Sequence, residues 1–105
     1  MLGIGESSYL CFKVWAYGLS EGFVHRRYGD FIWLRKILLK FFPGEIIPPI
    51  PNKKASKRQP RQILKRMRIL TMFLNDLVKN YKFLNNKYVY SFLIEKNRKK
   101  FDKVK

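Results

Sequence analysis

Arg26-Arg27-Tyr28-Gly29-Asp30-Phe31 decides how this chain folds, because it joins a strand-like stretch to a helical one. Upstream, within residues 9–17, Phe12, Val14 and Ala16 alternate with Cys11, Lys13 and Trp15, the period of two expected of a strand with one buried face. Gly18–Gly22 supplies turn chemistry, and Phe23–Tyr28 reads as a second strand folded back on the first, which makes a hairpin. Downstream, Asp30 reads as the N-cap of a first helix. Phe31, Leu34, Leu38 and Phe41 then recur at three- and four-residue spacing until Pro43-Gly44 stops it.

Beyond that helix, Pro48, Pro49 and Pro51 forbid helix and favour an extended connector, and Asn52–Gln59 is a polar, basic loop. Pro60 suits the first turn of a longer second helix, whose apolar stripe is Ile63, Met67, Leu70, Leu74, Leu77 and Tyr81. Asn86 is placed to cap a third, with Tyr88, Phe92 and Leu93 inward, and Lys96–Lys105 reads as a charged tail. Strands first and helices afterwards predict an α+β fold: a small antiparallel sheet, then a helical subdomain of three or more helices with a proline-rich connector. One domain over residues 1–105 is expected, with its core at about 9–95 and a basic tail at 96–105.

The charge balance restricts function more than the fold does. Among 105 residues, 23 Lys and Arg face 7 Asp and Glu, for a formal net charge of +16. Such a surplus calls for a polyanionic partner, either nucleic acid or an anionic membrane. No apolar run approaches the roughly 18–20 residues that a spanning helix needs, so membrane contact is expected to be peripheral. The single cysteine, Cys11, reads as a small buried hydrophobe in a reducing, cytoplasmic setting. Catalysis, a metal and a cofactor are not expected: His25 is the one histidine, and no two carboxylates are spaced as an acid–base pair or a metal site.

Eight basic residues, Lys53, Lys54, Lys57, Arg58, Arg61, Lys65, Arg66 and Arg68, fall in a stretch without one acid, an anion-attracting surface. Charge alone does not choose between lipid and nucleic acid. The discriminating feature is the strand–helix junction, because guanidinium forks match phosphate oxygens and an aromatic face packs against the carbon side of a sugar-like ring. Together they suit a phosphorylated inositol; on its own the junction reads equally well as an exposed arginine pair beside a core tyrosine.

Three ordered segments then resemble the PX domain, the phosphoinositide-binding module of sorting nexins. Arg26–Phe31 with Leu34 looks like Arg-Arg-(Tyr/Phe)-x-(Asp/Glu)-Phe-x-x-Leu; Phe42-Pro43-Gly44 and Ile47–Pro51 look like its Phe-Pro-Gly and Pro-Pro-x-Pro stretch; Arg66, Leu70, Phe73, Leu74 and Leu77 look like its second-helix pattern, and Tyr90-Ser91-Phe92-Leu93 like its closing helix. The resemblance covers about residues 9–95. It implies that Arg27 contacts the 3-phosphate of an inositol ring, that Tyr28 is the floor on which the ring stacks, that Lys53 meets the phosphate linking inositol to glycerol, and that Arg66 holds the ring hydroxyls at positions 4 and 5. It further implies phosphatidylinositol 3-phosphate as ligand, trafficking proteins as further partners, and the cytosolic face of endosomal membranes as location. Arg26, Lys54, Lys57, Arg58 and Arg61 are expected as auxiliary membrane contacts.

Two departures from the family pattern carry expectations. Eight residues precede Tyr9 where the family has a further strand, so that strand is expected to be very short or missing. Asn52–Gln62 has no large apolar side chain to insert in a bilayer, so docking is expected to lean on charge. The alternatives are a nucleic-acid-binding protein, for which no recognition-helix or RNP-type signature is present, and a protein-interaction module with a degenerate lipid pocket.

Overall fold

The structure, a computed structural model, describes residues 2–8, 11–50 and 60–105. Three antiparallel strands form one sheet in the order β1 (Leu2–Ser8), β2 (Cys11–Ala16), β3 (Val24–Arg27). Helices α1 (Tyr28–Phe41), α2 (Pro60–Val78), α3 (Tyr81–Leu84), α4 (Lys87–Ile94) and α5 (Arg98–Val104) follow. This is the expected α+β arrangement of sheet followed by helices.

In β2 the alternation places Phe12, Val14 and Ala16 in the core, with Cys11, Lys13 and Trp15 half-buried on the other face. Its hairpin with β3 pairs Cys11 with Arg27 and Val14 with Val24. The turn between them closes through the Leu19 N–H on the Ala16 carbonyl at 3.0 Å, and Gly18 and Gly22 take the positive φ angles that it needs. Cys11 is not the buried hydrophobe expected of it. Its Sγ lies 3.7 Å from Nδ1 of the exposed His25, because both residues fall on the outward face of the pleat.

The expectation of a vestigial first strand is overturned. β1 is seven residues long and pairs along β2 from Leu2 opposite Ala16 to Ser8 opposite Cys11, with a bulge between Glu6 and Ser8. Two glycines weaken its own strand preference, so its conformation comes from the ladder and from α2, which packs against it.

The α1 helix begins two residues before the expected cap. Arg27 occupies the N-cap, and Asp30 sits in the first turn and accepts the Arg27 N–H at 2.7 Å. Phe31, Leu34 and Leu38 are fully buried. At the far end Phe42 N–H bonds Leu38 O and Gly44 turns the chain away at φ +90°. Pro60 does open α2, and Ile63, Leu70, Leu74 and Leu77 are buried with Met67 packed beside them. Tyr81 departs from that stripe. The helix ends at Val78, and Tyr81 lies 71% exposed in the short α3, where Asn80 caps through the Lys82 N–H. Asn86 caps α4 as expected, bonding the N–H groups of Tyr88 and Val89. The stretch read as a basic tail carries α5, which Asn97 caps and Phe101 anchors in the core. Edge-to-face contacts run Phe12–Phe31–Phe92–Phe101, from the sheet to this last helix.

Gly29 lies in the first turn of α1, and a Cβ built there meets nothing within 4 Å. Gly29→Ala is therefore expected to stabilise the domain by about 0.5–1 kcal/mol, read as a raised denaturation midpoint.

Candidate functional site

The sheet pleat separates the two neighbouring arginines. Val24 and Arg26 point into the domain while His25 and Arg27 point out, so Arg26 is 1% exposed and Arg27 is exposed. The guanidinium of Arg26 donates to four backbone carbonyls: Phe92 at 2.8 Å, His25 at 2.7 Å, Ser91 at 3.1 Å and Glu95 at 2.6 Å. It also lies 3.9 Å from the centre of the Phe101 ring. Arg26 thus closes the C-terminal end of α4, where orphan carbonyls and the negative end of the helix dipole meet a cation. Burial pulls its pKa down to about 10, with Asp30 opposing. Arg26 cannot serve as the auxiliary membrane contact expected of it, because every one of its nitrogens is committed inside the protein.

Asp30 is the matching buried anion. It receives both terminal nitrogens of Arg98, at 2.7 and 3.0 Å, together with Lys105 Nζ and the Arg27 N–H. Burial alone would raise its pKa, but the hydrogen bonds from Arg98, Lys105 and Arg27 hold it down to about 2. This carboxylate fixes the backbone from which Arg27 and Tyr28 project.

Tyr28 and Arg66 are brought together from elements far apart in sequence. The Arg66 guanidinium lies over the Tyr28 ring, 4.3 Å from its centre, and burial raises the Tyr28 pKa while the Arg66 charge opposes that rise. Tyr28 is 8% exposed and Arg66 6%. Tyr28 is less open than a stacking floor requires, since Arg66 covers one face. The Nη2 of Arg66 is buried and has no hydrogen-bond partner among the described residues. A buried guanidinium nitrogen left without an acceptor costs at least about 1–3 kcal/mol, so an oxygen placed beside it would be stabilising. Sequence reading identified Arg66 by motif alone; its burial and its missing acceptor depend on tertiary packing.

Arg61 is exposed on the first turn of α2, free to meet a surface. Lys53, Lys54, Lys57 and Arg58 lie outside the described residues. No helix among the described residues is long and apolar enough to cross a membrane.

Comparison with known proteins adds an independent line. A model of the PX domain family matches residues 17–96. Sorting nexin MVP1 of Saccharomyces cerevisiae is 44% identical over 76 residues, covering 70% of this chain and 15% of that protein. Autophagy-related protein 20 of Kluyveromyces lactis is 29% identical over 131 residues, covering 90% of this chain and 21% of that protein. This chain therefore spans about a fifth or less of these curated relatives' length. Among solved structures, a designed CISK-PX domain superposes with a TM-score of 0.72 at 32% identity, covering 89% of this chain and 97% of that one.

Proposed function

The chain belongs to the PX domain family, and we propose that it is a peripheral docking module that holds the headgroup of phosphatidylinositol 3-phosphate on the cytosolic face of endosomal membranes. The observation that carries this reading is the buried Nη2 of Arg66 above Tyr28, which has no hydrogen-bond partner among the described residues. The cation–π contact holds Arg66 in place, at a value of about 0.5–2 kcal/mol. Headgroup entry exchanges that contact for charge-assisted hydrogen bonds to ring hydroxyls, each worth about 1.5–3 kcal/mol, and frees a face of Tyr28 for the inositol ring. Arg27, exposed at the N-cap of α1, is assigned the 3-phosphate; the positive end of the helix dipole adds to its charge there. Lys53 joins the site from the sequence motif alone, at the phosphate linking inositol to glycerol.

Arg61, Lys65 and Arg68 are all exposed on α2 and add attraction without selectivity. Each basic residue near an anionic leaflet contributes about 1 kcal/mol within a Debye length of about 8 Å, so binding weakens as salt rises.

The test separates stability from binding. Arg66→Met removes the unsatisfied nitrogen while keeping apolar bulk over Tyr28. Thermal stability is expected to stay within about 1 kcal/mol of wild type or to rise, while affinity for vesicles containing phosphatidylinositol 3-phosphate falls at least about tenfold. Arg27→Ala, a surface change, is expected to abolish selectivity over vesicles carrying other phosphoinositides. Wild-type binding by both variants would remove the pocket assignment.

A further inference from the structure

The stretch that reads as a basic tail is tied to the candidate site from both sides of Arg27. Upstream, the Arg26 guanidinium lies 3.9 Å from the ring centre of Phe101 in α5. Downstream, Arg98 of α5 grips Asp30 with both terminal nitrogens, at 2.7 and 3.0 Å, and Lys105 reaches the same carboxylate. Asp30 in turn accepts the Arg27 N–H at 2.7 Å. The residue before Arg27 and the residue three after it are thus held by one seven-residue helix.

That helix is itself fixed. Asn97 caps it through the Lys100 N–H, and Phe101 packs edge-on against Trp33 of α1 and Phe92 of α4. Arg98 is the joint, since it reaches Asp102 of its own helix at 3.0 Å as well as Asp30. The two pairs are unequal. Asp102 is half exposed, so its pair with Arg98 is of the weak surface kind, whereas the Asp30 side chain is 1% exposed and water screens its charge little.

We infer that Arg98 is a positioning residue for the headgroup site: through Asp30 it sets the N-cap backbone that aims Arg27, so that headgroup binding and the docking of α5 are coupled. The inference rests on the lipid reading above. Two effects give the coupling its sign. On the strand side Arg27 is placed by its pairing with Cys11, and on the helix side Asp30 holds its N–H. A side chain aimed before its ligand arrives loses less freedom on binding. The second effect is electrostatic: a carboxylate bonded to the Arg27 N–H repels a phosphate brought to Arg27, and the two cations that α5 sets on that carboxylate reverse the local field. Release of α5 removes both effects and so weakens headgroup binding. By linkage, a bound headgroup tightens α5 by the same factor.

The probe is a water-soluble, short-chain phosphatidylinositol 3-phosphate titrated calorimetrically against the whole chain, which reads the pocket without the general attraction of a charged bilayer. Arg98→Met is expected to weaken binding at least about fivefold, at a temperature where circular dichroism shows the variant folded. Arg98→Lys keeps a cation on Asp30 and is expected to recover about half of that loss on a logarithmic scale. Lys99→Met removes one exposed cation from the same helix and is expected to bind as wild type does. In wild type, saturating lipid is expected to slow amide exchange in residues 98–104 at least about threefold, and in Arg98→Met that slowing is expected to disappear. A merely structural Arg98 would lower the melting temperature while leaving the folded protein's affinity and the lipid-dependent exchange untouched, and that result overturns the inference. An equal loss of affinity in Lys99→Met also overturns it, since net charge would then be the cause. Failure of wild type to bind the probe overturns the lipid reading, and the inference with it.

Discussion

Arg26→Ala is expected to destabilise this domain by about 3–5 kcal/mol. Four carbonyls, on His25, Ser91, Phe92 and Glu95, lose their donor together, and the Phe101 ring loses the cation packed against it. Against a usual total of about 5–15 kcal/mol, that fraction moves the thermal midpoint by roughly 15 °C or more, followed by circular dichroism. Arg26→Lys is expected to fall between wild type and Arg26→Ala, because an ammonium keeps the charge and lacks the planar fork that reaches several carbonyls at once. Arg27→Ala, one residue on, is expected to stay within about 0.5 kcal/mol of wild type, since that side chain is exposed. An Arg26→Ala protein as stable as wild type would show that the four carbonyls find water instead.

That contrast shows which parts of the molecule can be read from sequence. The alternation in Cys11–Ala16, the stripe from Ile63 to Leu77 and the cap at Asn86 are local signals, because the partner of each residue lies within a turn or a strand pleat. Elements stabilised at long range leave no such trace. β1 has two glycines and owes its state to β2 and α2, and α5 is seven residues with one apolar anchor, Phe101, amid charges that suggest solvent. The same holds for side chains. Arg26 and Asp30 look like surface charges by composition, yet three of the four carbonyls that bind Arg26 and the cations that bind Asp30 come from about seventy residues later. Period-two reasoning could have found the first, since Arg26 shares the inward face of β3 with Val24. At the candidate site, Arg27, Tyr28 and Arg66 are legible as residue types, whereas the covering of Tyr28 by Arg66 and the lack of an acceptor for Nη2 among the described residues arise only when α2 meets the start of α1.

Acid is expected to release the C-terminal helix through Asp30. Its carboxyl is held at about 2, below its ordinary value of 3.8, so the folded state favours the ionised form. The resulting stability is fully present above about pH 4 and is lost as pH falls toward 2, on the order of 2 kcal/mol in all. Arg98 and Lys105 then face a neutral partner, and the ties of α5 to the start of α1 are cut on one side. In urea titrations between pH 2 and pH 5, Asp30→Asn is expected to show a flatter dependence on pH than wild type. At pH 7 it should be less stable by about 3–5 kcal/mol, because two cations, the Arg27 N–H and a buried site lose their anion together. Hydrogen exchange should locate the loss first in residues 98–104 and next at the end of α4, because Phe101 covers the Arg26 guanidinium that holds those carbonyls. If wild type and Asp30→Asn lose stability in parallel through the acid range, another carboxylate is titrating, and the junction of α1 with α5 is held by the Trp33–Phe101 packing rather than by charge.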